Sequence, residues 1–260
     1  MPLRPLFCLF ALTLGLSLPL AAQGQDAASR ADIIRLLARM TEFMPVEREF
    51  RALGFEGENL ELAMEQHRRV FADPEIAAYV ADRLIALHEG RLPMPREAGG
   101  LLGPLVDRGV GHLPRADLIY FYKVENTIFN ALPKRECGLV VKRRLSEQRL
   151  ADATARLAAR LNTPALREYY RIQYRAAQLG LTHEMIRLSP EENARIERLI
   201  GDRIFEDAEG EEVRNLIRIF QNPRRTTNRQ ACRAGRTIMN KVMMLEGRDL
   251  QDALIYFSTP

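Results

Sequence analysis

The 260-residue sequence has no tryptophan, three cysteines, four histidines and four lysines. It contains no glycine-rich phosphate loop, no nucleophile elbow and no CxxC pair, which removes the usual signatures of nucleotide-binding, α/β-hydrolase and thiol-redox proteins. The histidines, His67, His88, His112 and His183, are scattered and show no ligand spacing. His88-Glu89 and His183-Glu184 lack the second histidine that a zinc-protease helix requires, so the sequence predicts no metal and no cofactor. Alternating apolar and polar runs are almost absent, which argues against strands.

Long apolar runs are scarce too. Leu6 to Leu18 is thirteen residues without a charge, preceded by Arg4 and followed by Pro19 and the small-residue stretch Ala21-Ala22-Gln23-Gly24. A spanning helix takes roughly twenty apolar residues, so this run reads as a secretory signal peptide over residues 1–24. Cys8 sits inside the apolar run and not after a small-residue box, which argues against lipidation. No later stretch reaches spanning length. The expected product is an exported, periplasmic or secreted bacterial protein with no transmembrane segment.

After cleavage two cysteines remain, Cys137 and Cys232. Two cysteines in an exported chain predict one disulfide, here closing a 95-residue loop, worth on the order of 4 to 5 kcal/mol in the chain-entropy account. Arginine outnumbers lysine 34 to 4, yet the arginines alternate with Asp and Glu and the net charge is only +4. Such a mild balance describes solvated helix faces and not a nucleic-acid surface.

What the chain has in quantity is helical periodicity. The fold class is all-α: an irregular multi-helix bundle of about nine to eleven helices with one long-range disulfide. Start signals recur, with Asp73-Pro74-Glu75, Thr163-Pro164 and Ser189-Pro190-Glu191-Glu192 each placing a cap before a proline. Lys134 to about Leu161 reads as one long helix carrying Cys137. Residues 91–114 differ, holding five glycines and four prolines. The chain therefore divides into a helical subdomain over 25–90, a Gly/Pro-rich loop or linker over 91–114, and a helical core over 115–260. Leu101, Leu102 and Leu105 are expected to dock internally.

Candidate functional residues are few. Glu125 falls in the middle of the apolar face formed by Leu118, Phe121, Tyr122, Ile128 and Phe129. A carboxylate there is expected to be buried and paired with one of the many arginines or lysines; kept neutral instead, it suits general-acid work on glycans. Tyr122, Tyr170 and Tyr174 are candidates for an aromatic binding patch. Arg224, Arg225 and Arg229, in a basic stretch, are candidates for holding an acidic group. With no catalytic constellation in view, the sequence favours an adaptor, chaperone or inhibitor that binds a protein partner in the cell envelope. The alternative is a cell-envelope glycan-cleaving enzyme with Glu125 as acid.

Overall fold

The structure is a computed structural model that describes residues 29–39, 44–89, 91, 101–206, 210–222 and 225–259. The signal-peptide reading of residues 1–24 lies outside these residues, as do residues 92–100 and Arg224. The described residues form thirteen α-helices and no strand. In order these are α1 (Arg30–Arg39), α2 (Met44–Ala52), α3 (Gly57–Ala72), α4 (Pro74–His88) and α5 (Gly103–Gly109), then a 3-10 turn (Val110–His112). There follow α6 (Arg115–Ala131), α7 (Lys134–Val141), α8 (Glu147–Ala158), α9 (Thr163–Thr182), α10 (Pro190–Phe205), α11 (Gly210–Gln221), α12 (Asn228–Val242) and α13 (Gly247–Ser258).

The helices begin where local chemistry satisfies their first free N–H groups. Asp73 Oδ1 accepts from the N–H groups of Glu75 and Ile76 at 3.0 and 3.1 Å, with Pro74 in the first turn of α4. Ser189 and Glu192 form a reciprocal capping box on α10, and Thr227 and Gln230 do the same on α12. On α9 the cap is Asn162, whose Oδ1 accepts from the Ala165 N–H at 2.9 Å, so Thr163 and Pro164 already lie inside the helix.

Two features of the elements together explain why there are more helices than nine to eleven. The glycine-rich stretch is helical from Gly103 to Gly109, with Pro104 in the first turn where its missing N–H costs nothing. The expected long helix from Lys134 to Leu161 is two helices. The chain reverses at Arg143, a non-glycine residue at φ 54°, and Ser146 then caps α8. Lys142 holds the reversal in place: its Nζ donates to the Thr226 carbonyl and, at 2.9 Å, to Asn228 Oδ1.

The core is continuous, and residues of α1 to α4 share one buried cluster with residues of α6 to α13. Helices α6 and α9 lie at its centre. Leu118, Phe121, Tyr122, Ile128 and Phe129 of α6 and Leu166, Tyr169, Tyr170 and Ile172 of α9 are all enclosed. Leu102 and Leu105 are buried, as expected. Two helix crossings bring backbone against backbone. A Cβ on Gly109 would lie 1.8 Å from the Ala176 carbonyl oxygen, and one on Gly180 would lie 1.9 Å from that of Leu105, so α5 and α9 meet through glycine. At the second crossing, a Cβ on Gly138 would lie 2.0 Å from the Asn228 carbonyl oxygen, joining α7 to α12. Beside it Cys137 and Cys232 stand in disulfide geometry, S–S 2.06 Å and Cα–Cα 5.1 Å. Gly235, one turn past Cys232, leaves room for the Val141 and Phe129 side chains.

Candidate functional site

Among the described residues, the chemistry that a packed helical core least readily tolerates gathers where α5, α6 and α9 meet. The apolar stripe of α6 carries Glu125 inward, and only 2 % of it is exposed. Its Oε1 accepts a hydrogen bond from the phenol of Tyr169 on α9. Its Oε2 is enclosed and has no hydrogen-bond partner. One helical turn earlier, the enclosed phenol of Tyr122 also lacks a partner. Asp107, on α5, is the second carboxylate whose charge reaches this place. An aromatic wall completes the surroundings: Phe121 stacks on Tyr169 at 5.7 Å, and Tyr169 stacks on Tyr170 at 6.4 Å.

The electrostatics follow from that enclosure. Burial pushes the Glu125 carboxyl up to about 8; the Tyr169 bond works against the rise and the Asp107 charge adds to it. Burial likewise raises the Tyr122 phenol well above its ordinary value, with Glu125 and Asp107 contributing. Glu125 is therefore a neutral acid near neutrality. Among the described residues, no arginine or lysine pairs with it, so the expected ion pair is replaced by a tyrosine bond.

A second enclosed titratable group lies in the N-terminal helices. His67 of α3 packs between Phe50, with centroids 6.2 Å apart, and Phe71, at 4.7 Å. Neither ring nitrogen has a hydrogen-bond partner, and burial pushes the imidazole down to about 4.

The remaining candidates from the sequence do not come together. Tyr122 and Tyr170 are inside and present no surface. Tyr174 points elsewhere: its phenol donates to Asp73 Oδ2 at 2.7 Å and its ring lies under the Arg69 guanidinium at 4.1 Å. Tyr170 and Tyr174 thus form no shared patch, because Tyr170 turns into the core while Tyr174 ties α9 to the cap of α4. Arg225 and Arg229 are exposed at the start of α12. Arg171 pairs instead at the edge of the fold, half-exposed, with Asp117 at 2.6 Å and Glu168 at 2.7 Å.

One pairing escaped sequence reasoning. His112 and His183, 71 positions apart, have ring centroids 4.6 Å apart. No local spacing rule could reveal it, because the turn after α5 and the end of α9 meet only in the fold. Large exposed apolar side chains occur singly among the described residues, at Leu36, Ile217 and Met244. No described helix is long and apolar enough to cross a membrane. No family model, no curated protein and no solved structure matches the chain.

Proposed function

We infer that the protein works outside the cytoplasm, periplasmic or secreted, as a non-catalytic helical scaffold that binds another macromolecule of the cell envelope, as an adaptor, chaperone or inhibitor. The observation that carries this reading is the Cys137–Cys232 pair, 0 % and 1 % exposed, joining helices 95 positions apart at the centre of the fold. Disulfides form and persist mainly in oxidising compartments, so an enclosed bridge of this kind supports export. The apolar run over residues 6–18 supplies the matching export signal.

Glycan cleavage by Glu125 is the alternative, and its raised pKa together with the Asp107 carboxylate is the observation in its favour. Against it stands access. A glycosidase acid must touch the leaving oxygen of a bulky sugar chain, with a second carboxylate about 5 to 9.5 Å away on the other side of the bond. Glu125 is enclosed by Tyr169 and its aromatic neighbours, and 2 % exposure leaves no room for a sugar.

The test is fractionation of the native host, with N-terminal sequencing and thiol counting of the isolated protein. The expected result is a processed chain outside the cytoplasm, with no thiol titratable even in denaturant. Cross-linking from residues 225 and 229 then identifies the bound macromolecule. A cytoplasmic chain with two free thiols would overturn the reading. Release of soluble fragments from envelope glycan, abolished by Glu125→Gln, would establish the alternative.

A further inference from the structure

His112 closes the 3-10 turn after α5, and His183 follows the last residue of α9. Their rings are 4.6 Å apart between centroids, with planes inclined by 40°. His112 is half-buried and His183 is exposed, so solvent reaches the pair. Each ring is already held through one nitrogen. His112 Nε2 lies 2.8 Å from the Glu184 carbonyl oxygen. His183 Nδ1 lies 3.1 Å from the Leu179 carbonyl oxygen and 2.8 Å from Thr182 Oγ1. A carbonyl oxygen can only accept, so each of these contacts is a hydrogen bond when that nitrogen carries the hydrogen in a neutral ring, Thr182 Oγ1 then also accepting. The lone pairs are then left on His112 Nδ1 and His183 Nε2.

This is how proteins prepare an imidazole for a metal ion: the remote N–H is given to a backbone carbonyl, which sets the tautomer and the ring orientation. The spacing also fits. With metal–nitrogen bonds of about 2.0 to 2.1 Å, two imidazoles meeting one ion at roughly 90 to 110° have centroids about 4.5 to 5.2 Å apart. The backbone around the pair is closely packed: a Cβ on the adjacent Gly111 would lie 3.1 Å from Ile186 Cδ1 and 3.3 Å from Ser258 Oγ.

We propose that His112 and His183 form a surface site for one divalent transition ion of the zinc, nickel and copper class, with water completing the coordination. Among the described residues, no group of three or more His, Cys, Asp or Glu side chains is placed to hold an ion. The affinity is therefore that of two imidazoles. Magnesium and calcium, which require oxygen ligands, are not taken. A bound ion fastens the turn after α5 to the segment leaving α9, and stabilises the folded chain by mass action.

The experiment uses the full exported protein, free of any polyhistidine tag, titrated with zinc chloride alone by calorimetry and thermal melting. The expected result is saturable one-to-one uptake and a Tm that rises with zinc and returns on adding a chelator. His112→Ala and His183→Ala each weaken uptake by about tenfold or more, while His88→Ala leaves it unchanged. Copper(II) in the wild type broadens the imidazole NMR signals of His112 and His183 and no others, a readout that does not depend on the variants folding. Absence of saturable uptake at about 1 mM zinc, or uptake in either alanine variant as tight as in the wild type, overturns the proposal.

Discussion

Replacing Glu125 with glutamine should make the protein more stable at neutral pH. If a cation paired with the carboxylate, the same substitution would cost about 3 to 5 kcal/mol. The structure gives the opposite sign. Glu125 titrates at about 8 when folded and near 4.5 otherwise. The stabilisation of its neutral form is thus complete below pH 4.5 and is lost as pH rises to 8. At pH 7 the folded carboxyl still holds a proton that the unfolded one has released. That gap of about 2.5 pH units, at about 1.4 kcal/mol each, penalises folding by about 3 kcal/mol relative to acid conditions. Glutamine keeps the shape, accepts the Tyr169 bond through its Oε1 and does not titrate. Its amide nitrogen brings one N–H more than the neutral acid to a place that already lacks a partner, so near pH 4.5 the variant should be less stable by about 1 to 3 kcal/mol, which the gain at neutral pH offsets. Urea unfolding followed by circular dichroism at pH 5, 6, 7 and 8 measures the difference. The balance should shift steadily toward Glu125→Gln as pH rises and level off near 8. A variant less stable than wild type at pH 7, or a difference independent of pH, would refute the buried neutral acid.

Three further outcomes follow from the packing. Changing Cys137 and Cys232 together to alanine should cost about 4 kcal/mol, read from urea midpoints, because the 95-residue loop is no longer closed in the unfolded chain. Gly180→Ala forces a methyl to within 1.9 Å of the Leu105 carbonyl oxygen and should cost at least about 1 to 3 kcal/mol, whereas Gly201→Ala on α10, where nothing lies within 4 Å, should gain about 0.5 to 1 kcal/mol; equal melting shifts would contradict the α5–α9 contact. His67, depressed to about 4, contributes stability that is complete above 6.5 and lost as pH falls to 4, so His67→Leu should remove about 3 kcal/mol of the acid-side loss in urea titrations between pH 7 and 4.

The sequence made the helix starts legible because capping is local. Asp73 and Ser189 announce α4 and α10 within four residues, and the structure places caps there. The end of α7 was not legible, because its cause is distant. Arg143 adopts a left-handed conformation that costs an arginine about 1 kcal/mol or more, and Lys142 is held by Thr226 and Asn228, more than eighty positions away. Glycines divide in the same way. Gly235 lies one turn after Cys232 on the same helix, so its place beside the bridge has a local cause. Gly109 and Gly180 have none, since each is explained only by the other helix.

The site shows the same division in its electrostatics. The α6 stripe fixes where Glu125 points, and its burial follows. What meets it there is a question of tertiary structure, and the abundance of arginine suggested the wrong partner. Guanidinium groups are costly to enclose unless their donors are matched, and Arg171 with Asp117 and Arg195 with Asp252 pair with their guanidinium groups partly exposed. That leaves an enclosed carboxyl one economical form, the neutral acid bonded to a phenol; the same reasoning leaves His67 uncharged among phenylalanines. Both groups were visible as polar residues on apolar faces. Their charge states became legible only once the fold showed that, among the described residues, no counter-ion is buried with them.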